Sequence, residues 1–191
     1  STKFGFCAPL VGMEFQAITR LFARSGKSSY AECLAKNLSE KPMYVATARK
    51  WDADFQERID RHQKGRDEYW VTIEKEKYLS EIDFSGKVAI VDCVTLWLTN
   101  FFVDTHNEVS LSLEQAKAEF DAIAKHKNTT IIIVTNEIGM GLHADTAIGR
   151  KFTELQGWMN QYIAQKSDNV IFMVSGIPVT IKRDSKILNP F

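Results

Sequence analysis

The 191-residue chain carries 24 Lys plus Arg against 24 Asp plus Glu, so its formal net charge is zero and no long-range field draws it to nucleic acid or an anionic membrane. Three widely spaced cysteines, Cys7, Cys33 and Cys93, argue against a disulfide framework or a structural zinc site and point to a reducing cytoplasm. No apolar run approaches the roughly 20 residues of a membrane span, no secretory leader opens the chain, and the length suits one domain burying about 70% of its unfolded surface.

Residues 1–13, with Gly5, Pro9 and Gly12, read as an irregular arm, and 14–191 as a single α/β domain. In 14–19, Phe15, Ala17 and Thr19 alternate with Glu14, Gln16 and Ile18, which predicts a weak strand feeding the next loop. That loop holds Ser25-Gly26-Lys27-Ser28-Ser29 ahead of a helix over 29–37, where Tyr30, Cys33 and Leu34 share a face. This is the second half of a phosphate-binding loop. Backbone N–H groups there point at phosphate, a lysine reaches the β/γ-phosphates, a hydroxyl holds Mg²⁺, and the helix N-terminus adds its partial positive charge. The plainer alternative is a polar turn before a helix.

The full pattern G-x-x-x-x-G-K-[ST] asks for glycine where Leu21 stands, followed here by Phe22. Burying each of these side chains gains roughly 1.5–3 kcal/mol, so the expectation is that they turn into the core and displace the chain before Ala23. Gly26 to Ser28 should still open the helix.

After Pro42, residues 43–48 predict a short buried strand, and Thr47-Ala48-Arg49 would lie beside the phosphate loop in a parallel sheet. Residues 52–64 predict a helix from an Asp52 cap to a breaker at Gly65. It places Arg58, His62 and Arg66 at i, i+4 and i+8, and flanking guanidiniums disfavour imidazole protonation. An exposed helix histidine is the competing reading. Residues 70–73 predict an extended piece ending at Glu74, and 74–85 a short helix or loop.

Val88-Ala89-Ile90-Val91-Asp92 is an apolar strand closed by an acid, the pattern that holds Mg²⁺ near a phosphate loop; Asp92 could equally cap a helix beginning near Thr95. Residues 95–102 are strongly apolar and should pack between layers. An amphipathic helix is expected over 112–126, a buried strand over 130–135, a glycine-containing loop over 136–141, a long helix over 145–166 and the last core strand over 170–174. Ser175-Gly176-Ile177-Pro178 then turns into an edge-hairpin partner over 179–182.

The alternation predicts a mostly parallel sheet with helices on both faces, which binds ligands beyond the carboxyl ends of its strands, where Ser28, Thr47, Asp92 and Asn136 would gather. His106, His126 and His143 read as surface or loop residues and Cys93 as a core filler. Trp51, Trp70, Trp97 and Trp158 lack the basic interleaving of a nucleic-acid platform.

Taken together, Ala23-Arg24-Ser25-Gly26-Lys27-Ser28, Tyr44-Val45-Ala46-Thr47, Arg58-Ile59-x-x-His62 with Arg66, and Trp70-x-Thr72-x-Glu74 resemble the bifunctional adenosylcobinamide kinase/adenosylcobinamide-phosphate guanylyltransferase family. The stretches 91–100, 134–141 and 174–178 resemble its remaining signatures, in the same order, over about 23–182. The resemblance implies a P-loop sheet of the RecA-like type, a homotrimer, ATP and GTP as substrates with Mg²⁺, and two reactions on adenosylcobinamide. These are phosphorylation of its aminopropanol hydroxyl and transfer of GMP to that phosphate through a guanylyl-histidine. It implies His62 as nucleophile with Lys27 as the second catalytic residue. Nucleotide contacts would fall on Ala23, Arg24, Ser25, Gly26, Lys27, Ser28, Thr47, Ala48, Arg49, Gln63, Lys64, Gly65, Arg66, Glu74 and Asp92, with metal ligation by Ser28 and Asp92. The family's paired glycines correspond to Leu21 and Phe22.

Overall fold

A computed structural model describes residues 14–20, 25–49, 69–141 and 143–188. The strands are β1 Glu14–Arg20, β2 Met43–Ala46, β3 Val71–Glu74, β4 Val88–Asp92, β5 Thr130–Val134, β6 Asn169–Val174, β7 Ile177–Arg183 and β8 Lys186–Ile187. The helices are α1 Lys27–Leu38, α2 Val94–Asp104, α3 Val109–Ile123 and α4 Ala147–Lys166, with 3-10 turns at Leu79–Glu81 and Ile138–Met140.

All eight strands form one sheet in the order β3-β2-β4-β5-β1-β6-β7-β8. The strands from β3 to β6 run parallel, and the hairpin partners β7 and β8 are antiparallel. One strand, β5, separates the strand before Gly26-Lys27-Ser28 from the strand ending in Asp92, pairing Ile18 with Val134 and Asp92 with Val134. This is the expected P-loop sheet of the RecA-like type, and it brings three functional strand ends side by side.

Alternation within the parallel strands sorts the core into two layers. Phe15, Ala17, Val45, Val91, Ile131 and Ile133 pack on one face against Trp97, Phe101, Phe120, Leu155 and Met159 of α2, α3 and α4. On the opposite face Ile18, Tyr44, Ile90, Ile132 and Ile171 meet Ala31 and Ala35 of α1. Two alanines let α1 approach closely, which holds its N-terminus against the sheet edge.

Several boundaries differ from the sequence reading. The strand read as weak, β1, is central: Phe15, Ala17 and Ile18 are buried on both faces, and burial on both sides erases the period-2 signal. α1 begins at Lys27, two residues before the expected start, with Gly26 opening it as anticipated. α3 begins at Val109, ahead of 112, because the buried Ser112 hydroxyl donates back to the Glu108 carbonyl and lies inside the helix. β8 was not anticipated. Its turn uses Asp184 and Ser185 at φ 46° and 62°, a hairpin geometry usually announced by Asn-Gly or Asp-Gly. The arm over 1–13, Leu21, Phe22 and the helix expected over 52–64 lie outside the described residues. Among the described residues no helix is long and apolar enough to cross a membrane.

Candidate active site at the carboxyl edge of the sheet

Gly26 takes the left-handed conformation, φ 84°, at the position preceding α1. That dihedral is open to glycine at little cost, whereas an L side chain there costs about 1 kcal/mol or more. The turn between β6 and β7 lies close by: a Cβ on Gly26 would sit in ordinary contact, 3.5 Å, with the Gly176 Cα, so the constraint at this position is the backbone conformation. The Gly176 N–H donates to the Ser25 carbonyl at 3.1 Å, so this turn braces the loop from behind. Among the described residues no side chain caps the first turn of α1. The buried Ser25 hydroxyl has no hydrogen-bond partner among the described residues. A loop with an orphaned hydroxyl and uncapped N–H groups is suited to an oxyanion.

Asp92 ends β4 close by. Its Oδ2 accepts from the Tyr44 hydroxyl at 2.7 Å, which orients the carboxylate from β2. The residue before α2 is Cys93, and no side-chain cap bond forms there, so the helix-capping alternative for Asp92 does not hold. Burial, with the neighbouring Asp92 charge, pushes the Cys93 thiol up to about 11, while Lys27 pulls the other way. Cys93 is therefore an inert filler, and Lys27 lies near enough to act on it. The chain past β2 is tied to this row: Thr47 donates its hydroxyl to the Cys93 carbonyl at 2.8 Å and its N–H to the Asp92 carbonyl at 3.1 Å.

Farther out, the charges are paired with one another. Arg49 holds Asp104 through both terminal nitrogens, at 2.8 and 3.0 Å, and Glu76 through Nε at 2.6 Å. Lys77 takes the same Asp104 at 2.6 Å. Hydrogen bonds from Arg49 and then Lys77 hold the Asp104 carboxyl well below the usual carboxylate range. Beneath them the fully buried Asn100 donates to the Thr47 and Glu76 carbonyls, both at 2.8 Å, fastening the β2 and β3 exits to α2.

Between β1 and β4, the exit of β5 carries a second polar group. Asn136 donates to the Thr95 hydroxyl at 2.7 Å. Glu137 accepts at Oε1 from Asn160 at 2.7 Å, and Asn160 is itself fixed by Thr135 at 2.7 Å and Gln156 at 2.9 Å. Burial pushes the Glu137 carboxyl up, with Asn160 and Thr19 acting the other way.

Ser28, Thr47, Asp92 and Asn136 lie beyond the carboxyl ends of the parallel strands as expected, and Ser25, Gly26, Lys27, Ala48, Arg49 and Glu74 lie along the same edge. Ala23, Arg24, His62, Gln63, Lys64, Gly65 and Arg66 lie outside the described residues. His106 and His143 are exposed, and His126 sits 3.1 Å from the Ser85 hydroxyl, remote from this edge. Sequence reasoning missed Tyr44, Asn100, Asp104 and the Gly176 brace. Each acts across 40 or more residues of chain or through a backbone carbonyl, so only the Asn within an apolar helix, Asn100, left any signal.

The family model of cobinamide kinase / cobinamide phosphate guanyltransferase matches residues 22–181. The bifunctional adenosylcobalamin biosynthesis protein CobU of Escherichia coli (strain K12) is 33% identical over 174 residues, covering 84% of this chain and 96% of the relative. The corresponding protein CobP of Pseudomonas aeruginosa is 34% identical over 165 residues, covering 84% and 93%. Among solved structures, the flagellar accessory protein FlaH of Methanocaldococcus jannaschii aligns with a TM-score of 0.44 at 13% identity, over 90% of this chain and 79% of its own.

Proposed function

The chain belongs to the cobinamide kinase / cobinamide phosphate guanyltransferase family, whose members are transferases, and we propose that it carries out both family reactions on adenosylcobinamide. The observation that carries this reading is the family match over 22–181, which takes in the whole carboxyl edge of the sheet. In the first reaction ATP or GTP phosphorylates the aminopropanol hydroxyl. In the second, His62 attacks the α-phosphate of GTP, pyrophosphate leaves, and the guanylyl group passes from the histidine to the cobinamide phosphate.

In this reading the Lys27 ammonium neutralises charge on the transferred phosphoryl group, and the N–H groups of the first turn of α1 with the Ser25 hydroxyl receive phosphate oxygens, which the absence of a cap and of a partner for Ser25 among the described residues supports. Thr47, Ala48, Arg49 and Glu74 line the nucleotide side of the edge, while Ala23, Arg24, Gln63, Lys64, Gly65 and Arg66 complete the nucleotide contacts. Mg²⁺ suits the hard oxygen donors present: the Ser28 hydroxyl and Asp92 carboxylate would hold it, and it would supply charge neutralisation to the triphosphate. Tyr44 keeps Asp92 in place for that role. A homotrimer is part of the same reading, supported by the exposed Val174, Ile177 and Val179 on the edge hairpin. Sedimentation at the mass of one chain would remove it.

The test is incubation with GTP labelled at the α-phosphate. The protein should acquire an acid-labile, alkali-stable label that is absent from His62→Ala. A label that survives His62→Ala removes the nucleophile assignment. Leu21 and Phe22, where the family has glycines, favour a second reading: a nucleotide-binding member with impaired turnover. GTP binding in calorimetry without phosphorylation of adenosylcobinamide would select it, and micromolar binding with turnover would reject it.

A further inference from the structure

Glu137 is a carboxylate that the scheme above leaves without a role. It lies three residues beyond Val134, and Val134 is level with both Ile18 of β1 and Asp92 of β4. At about 3.3 Å per residue, the exit of β5 carries it past the row of Asp92, between the strand that leads to Lys27 and the strand that carries the metal-side acid. Thr135 is fastened to the first of these by its N–H on the Ile18 carbonyl at 2.9 Å, and Asn136 to the start of α2 by the Thr95 hydroxyl. The segment is therefore fixed on both sides.

The side chain is held as firmly. Asn160, 8% exposed, donates to Oε1 and is itself locked by the buried Thr135 hydroxyl and the Gln156 amide. Asn160 also donates to the Asn136 carbonyl at 2.9 Å, so one amide sets both the loop and the carboxylate. A salt-bridge partner would have sufficed for an acid with a purely structural task. The neutral Asn160 amide instead orients Glu137, and partial burial raises its basicity by more than the hydrogen bonds of Asn160 and Thr19 lower it. Just beyond it Ile138 and Met140 stand exposed, 36% and 61%, offering apolar contact to a bulky acceptor beside a polar group.

We propose that Glu137 is the general base of the alcohol-phosphorylation step, an assignment that rests on the kinase reading given above. The acceptor hydroxyl gives its proton to a Glu137 carboxylate oxygen as its own oxygen forms the bond to the γ-phosphorus. The bond from that phosphorus to the β,γ-bridging oxygen breaks, and its electron pair leaves with the nucleoside diphosphate. The proton passes from Glu137 to solvent after product departs. Guanylyl transfer to and from His62 involves no alcohol proton, so Glu137 serves one of the two reactions only.

That asymmetry supplies the test. Wild type, Glu137→Gln and Glu137→Ala are assayed, as full chains with Mg²⁺, for phosphorylation of adenosylcobinamide by ATP and separately for self-guanylylation by GTP. Glu137→Gln should lose about 100-fold or more in phosphorylation kcat, with the nucleotide KM and the guanylylation yield within threefold of wild type. Added formate should restore Glu137→Ala at least tenfold, which a merely structural residue would not show. Phosphorylation by Glu137→Gln within threefold of wild type overturns the proposal, as does a parallel loss of both half-reactions. A wild-type protein that performs neither reaction overturns the functional reading itself, a distinct outcome.

Discussion

Lys27, Ser25 and Asp92 stand at the inner part of the carboxyl edge, and Arg49, Glu76, Lys77 and Asp104 at the outer part, yet the two groups are satisfied in different ways. In the outer cluster cation meets carboxylate at 2.6 to 3.0 Å, with Arg49 forked onto Asp104. In the inner one the Ser25 hydroxyl has no partner among the described residues, and Asp92 is steadied by a neutral phenol. The loop there turns at Gly26 in the left-handed conformation and is braced by the Gly176 N–H on the Ser25 carbonyl. Charges already engaged with one another shape the exits of β2 and β3; polar groups left unengaged suit an incoming ligand. Arg49 illustrates the point. The family resemblance implies a nucleotide contact for it, and its guanidinium is anchored by two carboxylates, so a nucleotide would meet it as part of that network.

The contrast can be broken from either side. Lys27→Ala, at the inner site, should lower phosphorylation kcat by about 100- to 1,000-fold with little change in melting temperature, since a charge stabilising the transition state is lost and no packing is. An equal loss of stability would place Lys27 among the structural charges. Asn100→Ala acts on the outer side and should show the reverse pattern. It strips the buried Thr47 carbonyl and the partly buried Glu76 carbonyl of their donor and should cost about 1.5–3 kcal/mol in urea unfolding. A change below about 1 kcal/mol would mean that α2 does not fasten the strand exits.

Asp104→Asn should have the smallest effect, about 1 kcal/mol or less, because the pair is partly exposed and solvent screens it. Its signature is the pH dependence. The folded carboxyl is held below its unfolded value near 4, so its contribution is complete above that value and is lost as the pH falls through the folded one. Wild type should therefore lose stability from about pH 5 downward more steeply than Asp104→Asn. Coincident acid limbs in thermal melts of the two proteins would show the network to be energetically idle.

The inner site was legible in the sequence because its parts are local. Gly26-Lys27-Ser28 and Val88 to Asp92 are short runs in which each residue type has a backbone or ligand reason to be present. The parallel sheet followed from apolar strands alternating with helices. The outer cluster was illegible for the opposite reason: Arg49, Glu76 and Asp104 are single charged residues, 27 and 55 positions apart in their pairings, among many others on the chain. Tyr44 carried no role of its own in the sequence, since nothing in its neighbours reveals that β2 lies beside β4 with Tyr44 level with Ile90, two residues short of the Asp92 row. The β8 turn was hidden because Asp184-Ser185 adopts a geometry that glycine or asparagine would have signalled.

The central claim is that this edge of the sheet first phosphorylates a corrinoid alcohol and then caps that phosphate with GMP. The most direct measurement is to incubate the protein with adenosylcobinamide, GTP and Mg²⁺ and to follow the corrinoid by mass spectrometry. The expected result is adenosylcobinamide phosphate appearing first and giving way to GDP-adenosylcobinamide with release of pyrophosphate. Adenosylcobinamide recovered unchanged, under conditions in which GTP binds, would contradict the account.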